Sequence, residues 1–152
     1  MKLAEALLLR ADIQKKLASL QARAQKYVIV QEGEKPAEDP NELLRQIDTI
    51  SGELERLVFA INKANIDHDL KSGQSLTGAL ARRDALVLRH SILQSVADAA
   101  SKPPDRYGVK EIRWVVTVDV AKLRKQVDDL AKQIRELNGE IQEKNWQVDI
   151  DL

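Results

Sequence analysis

The chain has 152 residues, of which 43% are hydrophobic, 32% charged and only 3% aromatic. A chain of this length buries roughly 70% of its unfolded surface, and its apolar content is too high for a disordered polymer. Lys plus Arg equals Asp plus Glu at 24 each, which argues against a surface built to grip a phosphate backbone, and the lack of any cysteine excludes disulfides, thiolate metal sites and cysteine nucleophiles.

Residues 2–26 read as a first helix. Leu3, Ala6, Ile13, Leu17, Leu20 and Ala24 recur at steps of three and four, the spacing of one helical face. Arg10 sits in that seam as its charged member. Three β-branched residues, Val28, Ile29 and Val30, follow and favour an extended chain.

A second helix opens at Asp39-Pro40-Asn41-Glu42. Asp39 can accept orphan backbone N–H groups, Pro40 suits the first helical position, and Glu42 can reach back to complete a capping box. Its stripe is Leu43, Ile47, Ile50, Leu54, Leu57, Ile61 and Ala64. Gly52 interrupts it at a propensity cost of about 1 kcal/mol, for which the expected reason is another element passing close by.

A turn over 67–74 with Gly73 at its tip precedes Ser75, the expected cap of a third helix reaching Ala100. That helix carries Leu76, Leu80, Leu86, Val87, Leu93, Val96 and Ala97, with Arg83 and His90 in the same seam. Pro103 and Pro104 stop it. Residues 112–118 alternate as a strand, with Trp114, Val116 and Val118 on its inner side. Asp119 caps a fourth helix with the stripe Leu123, Val127, Leu130, Ile134, Leu137 and Ile141. The tail, 146–152, alternates again and reads as a last strand with Trp146 inward.

The expected fold is therefore mainly α: one helical-bundle domain over 1–152. Four long antiparallel helices lie in a bundle or coiled-coil-like arrangement, with two or three short β-strands at 28–30, 112–118 and 146–152. With up-down helices, Arg10 falls level with Arg83 and Asp84, and His90 lies one to two turns higher. Arg10, Arg83, Asp84 and His90 are thus a candidate buried polar layer, read either as a ligand site or as paired charges that fix helix register. Buried pairing would make Asp84→Ala cost about 3–5 kcal/mol.

No residues are assigned to catalysis, and no metal or cofactor is expected. A di-iron bundle needs Glu-x-x-His on two helices, whereas Asn65 precedes His68 and Val87 precedes His90. Glu53, Glu55, Glu140 and Glu143 read as solvated surface rather than as the acidic cluster of an all-α pyrophosphohydrolase. Arg82, Arg83 and Arg89 lack the interleaved aromatics that stack bases, so no nucleic acid is expected. Glu5, Arg10 and Asp12 break the N-terminal apolar run, and no segment reaches the ~18 apolar residues of a membrane span. A cytoplasmic protein is expected, with no membrane partner. If the fourth helix runs back down, the tail strand has no strand of its own chain in reach; if 112–118 instead descends the bundle and reverses that helix, another apolar strand edge is left open, and either route predicts a homo-oligomer.

Several segments resemble one bacterial family: K-L-A-E-A-L-L-L-R-A-D-I-Q-K-K from Lys2, Q-E-G-E-K-P-A-E-D-P-N-E-L-L from Gln31, and R-D-A-L-V-L-R-H-S from Arg83. R-Y-G-V-K-E-I-R-W-V-V-T-V-D-V from Arg106 and the N-W-Q-V-D tail belong to the same likeness. The resemblance is to proteins labelled septicolysin and spans essentially the whole chain. It brings no activity and no site residues. The label implies a secreted, membrane-damaging toxin, against which stand the missing export signal, apolar span and cationic amphipathic face. The function reads as unknown, with a non-enzymatic assembly or interaction protein ahead of a small-molecule or nucleotide-handling enzyme using the polar layer.

Overall fold

The structure, a computed structural model, describes residues 1–102 and 113–151. Among them lie four helices: α1 (Leu3–Tyr27), α2 (Pro40–Asp67), α3 (Leu76–Ala100) and α4 (Val120–Gln147). The chain divides into two compact units, Met1–Asp69 with Gln142–Leu152, and Leu70–Ile141. The fold is mainly α, as the periodicity predicts.

Helix starts follow the sequence closely because capping is local. The Asp39 carboxylate accepts the Asn41 N–H at 2.9 Å, the Ser75 hydroxyl accepts from Gly78 at 3.1 Å, and Asp119 accepts from Lys122 at 3.0 Å. Each satisfies an N–H group that the first helical turn leaves without a partner. The expected capping box at Glu42 does not form, because that carboxylate turns to Arg45 instead, at 2.6 Å.

In the first unit α1 and α2 form an antiparallel pair. Leu20, late in α1, is buried with Leu43 and Ile50 of α2, and Ile13, Leu17, Ala24 and Ile47 pack around them. Arg23 and Glu38 join in an ion pair across the turn between the helices. The seam continues through buried Leu57, Ile61 and Ala64 of α2 and, near the start of α1, Leu3 and Ala6.

The second unit begins with a tight turn. The Leu70 N–H donates to the Gln74 carbonyl at 2.8 Å, and the Gly73 N–H donates to Leu70 at 2.9 Å. Gly73 holds φ at +80° there, a left-handed conformation that glycine adopts without steric cost. Leu76, Ala79 and Ala97 are the buried positions of α3, and Val127, Leu130, Leu137 and Ile141 form the buried stripe of α4. Arg124 donates to the Ser101 hydroxyl at 2.8 Å, so the start of α4 lies beside the end of α3.

The expected strands fail for one physical reason: a strand needs a neighbour's backbone. Among the described residues Val28, Ile29 and Val30 form no strand, and all three are exposed. Residues 113–118 form no strand either, and Trp114 is 68% exposed rather than inward. Ile112 lies outside the described residues, as do Pro103, Pro104 and Leu152. At the C-terminus α4 runs on through Trp146, whose side chain faces solvent. Among the described residues of the tail, an antiparallel bridge joins Lys2 with Asp149 in place of the expected strand.

Gly52 also departs from expectation. A Cβ built there meets nothing within 4 Å, so no close approach requires glycine. Gly52→Ala then removes a helix-propensity penalty and some unfolded-state entropy, and stability should rise by about 0.5–1 kcal/mol. Urea unfolding of the two proteins measures this; a loss of stability would mean that the position is closed.

Candidate functional site

The four residues of the candidate polar layer are not a buried layer. Asp84 is exposed, while Arg10, Arg83 and His90 are half-buried. Arg83 donates from Nε and a terminal guanidinium nitrogen to the Asp84 carboxylate at 3.0 and 2.7 Å. Consecutive helical residues point about 100° apart, so Asp84 cannot share the inward direction of its neighbour, and the arginine bends outward to meet it. The Asp84 side chain is 69% exposed. An ion pair in water is worth at most about 1 kcal/mol, so Asp84→Ala is not the severe loss that burial implies. Arg10 belongs to the first unit, whereas Arg83, Asp84 and His90 belong to the second.

The other histidine, His68, ends α2, where its Nδ1 lies 3.0 Å from the Ala64 carbonyl. As a donor it satisfies one of the last helical acceptors. Among the described residues no group of three or more His, Asp or Glu side chains could hold a metal ion. No helix among them is long and apolar enough to cross a membrane.

Sequence reasoning passes over two other features. The first is a groove between α1 and α2, with Leu9, Ile13 and Leu57 as its apolar lining and Asp12, Lys16, Glu53 and Arg56 as its charged rim. Leu57 is buried and Ile13 half-buried, while all four charged residues face solvent. Two carboxylates and two cations balance, so the rim selects neither anions nor cations. Its residues fall at i, i+3, i+4 and i+7 on α1, which is a legible helical face, but pairing it with α2 requires the antiparallel register.

The second is a clasp between the two chain ends. The Leu3 N–H donates to Val148, the Ile150 N–H donates to Met1, and both bonds are 2.9 Å. The Met1 ammonium donates to the Ile150 carbonyl at 3.1 Å. Lys2 Nζ reaches the Asp149 carboxylate at 2.8 Å, and Glu5 accepts the Lys2 backbone N–H at 2.7 Å. Val148 and Ile150 are buried while Asp149 is exposed, the alternation read for the tail. Asn145, one turn earlier, is the buried polar side chain among the described residues. The N-terminus of the same chain thus lies against the tail, where the sequence reading with a descending fourth helix leaves the tail without a partner in its own chain.

Residues 10–150 match a family of unknown function (DUF6847). The chain belongs to that family. It is also similar to a functionally unknown conserved protein from Corynebacterium diphtheriae, known from a crystal structure. The two are 36% identical, the match covers 99% of each chain, and the TM-score is 0.93. No curated protein matches the chain. Family and structural neighbour alike leave the function unknown.

The clasp carries a pH dependence. The hydrogen bond from Lys2 holds the Asp149 carboxyl below its ordinary value. A depressed carboxyl stabilises the fold above the unfolded carboxylate range, near pH 4, and loses that contribution as pH falls through the folded value. Asp149→Ala should therefore melt below wild type at pH 7, and the gap should close on acidification. A gap independent of pH would show that the ion pair contributes nothing.

Proposed function

We propose that this chain is a non-enzymatic, cytoplasmic assembly protein, a helical-bundle or coiled-coil-like module that binds a second copy of itself. The observation that carries this is the apolar surface of the second unit. Leu88, Ile92 and Val96 on α3 and Trp114 and Val115 before α4 are large hydrophobic side chains, all between 42% and 72% exposed. Single exposed aliphatics are ordinary, whereas a run of them along one element marks an interaction surface. The balanced charge of the chain offers no long-range attraction for nucleic acid or anionic lipid, which leaves apolar contact with protein.

An enzymatic reading has less behind it. Arg83 spends hydrogen bonds on a solvent-facing neighbour, and a general acid or base needs a protected cleft that tunes its proton affinity. The membrane-damaging reading attached to septicolysin-like proteins would need an apolar span or a cationic amphipathic face. No described helix is long and apolar enough to cross a membrane.

Light scattering across a concentration series tests the assembly reading. A mass twice that of one chain, or a higher multiple, is expected at micromolar protein. A single-chain mass at every concentration contradicts it. Dye release from anionic liposomes at the same concentrations would favour the membrane reading instead.

A further inference from the structure

Helix α3 (Leu76–Ala100) has an apolar face that its own unit leaves open. The inward side carries the buried Leu76, Ala79 and Ala97 and the half-buried Leu86, His90 and Leu93. On the opposite side Ala81, Ala85, Leu88, Ile92, Ser95 and Ala99 step by four, three, four, three and four, and all six are exposed. That spacing is a heptad seam, the a and d pattern by which one helix pairs with another. A helix with apolar residues on both sides has a second partner to cover them.

The flanks say which partner. With Ala85 and Ile92 at a and Leu88 at d, the e positions hold Arg82, Arg89 and Val96, while the g positions hold Thr77, Asp84, Ser91 and Asp98. In a parallel pair the g residue of one helix meets the e residue five places on in the other. Asp84 of one copy then faces Arg89 of the second, twice by symmetry. In an antiparallel pair e meets e and g meets g, which sets arginine against arginine and aspartate against aspartate. The neighbours of Arg89 at three and four positions, Ala85, Leu86, Ile92 and Leu93, are all apolar, so its own helix offers it no counter-charge. Arg83 occupies only Oδ1 of Asp84 in its two bonds, so this carboxylate can also accept from outside.

We propose that α3 pairs in parallel with α3 of a second copy through Ala81, Ala85, Leu88, Ile92, Ser95 and Ala99, with Asp84 and Arg89 as the reciprocal flanking charges. The proposal rests on the self-association reading above and assigns its surface. The alanines at both ends let the backbones approach closely, and Leu88 and Ile92 supply the buried centre.

Sedimentation equilibrium of the full-length chain and its variants tests this. Leu88→Glu and Ile92→Glu alter side chains exposed in the single chain, so helicity by circular dichroism should hold while dimerisation weakens about 100-fold, as for a central interface anchor. Asp84→Lys and Arg89→Glu each turn two attractions into two repulsions and should weaken it roughly ten-fold. The double variant restores both attractions and should recover wild-type association. Recovery supports the parallel pairing; single charge variants without effect overturn it. A wild-type dimer insensitive to Leu88→Glu overturns the α3 seam but leaves self-association standing. A wild-type monomer at all concentrations overturns both and leaves the seam to a helix of another protein.

Discussion

The first unit depends on the meeting of the two chain ends. Three backbone hydrogen bonds join Met1 and Leu3 to Val148 and Ile150, and the pair Lys2–Asp149 flanks them. These contacts close a loop of almost the whole chain, so their entropic cost is large relative to any local turn. What offsets it is apolar burial on either side: Leu3 and Ala6 on α1, Val148 and Ile150 on the tail. The charged pair alone, exposed to water, would not suffice. Within the same unit α1 also meets α2, burying Leu20 with Leu43 and Ile50.

The second unit uses the same elements differently. Its turn at Gly73 and the cap at Ser75 launch α3 in a defined direction, and its buried residues are Leu76, Ala79 and Ala97 on α3 and Val127, Leu130, Leu137 and Ile141 on α4. The buried stripes of α2 and α4 are accounted for within the chain, while Leu44, Phe59 and Ile66 of α2 stay exposed. The outer face of α3 is exposed as a heptad seam, where Leu88 and Ile92 would cost less in water if they were polar. Leu88 and Ile92 on one seam, with Asp84 and Arg89 on its opposite edges, are the physical basis for the proposed assembly role.

Much of this was legible in the sequence, for reasons that are local. Caps at Asp39, Ser75 and Asp119 act within three residues, and a helical stripe such as Leu43 to Ala64 repeats within four. The strands were not legible because pairing is decided at long range. Val28 to Val30 have β-branched side chains but form no strand among the described residues, whereas the tail meets the N-terminus of its own chain. Trp146 turned outward because α4 continued through it, where a strand would have pointed it inward. The polar layer failed on phase: Asp84 follows Arg83 directly, and no helix directs two consecutive side chains to one place. The outer seam of α3 was present in the letters from Ala81 to Ala99 but overlapped a second stripe, and only the burial pattern separates the two. The α1–α2 groove needed the antiparallel register before Ile13 and Leu57 could be brought together.

The absence of cysteine makes one measurement direct. Single cysteines at Thr77, Ser91 and Asp98, which share one edge of α3 and are all exposed, can each carry a spin label without background. Inter-copy distances by pulsed electron resonance then report the orientation of the pair. Parallel pairing through the seam predicts short and closely similar distances at all three positions. Distances that diverge along the helix, or no inter-copy signal at any of them, would contradict the account.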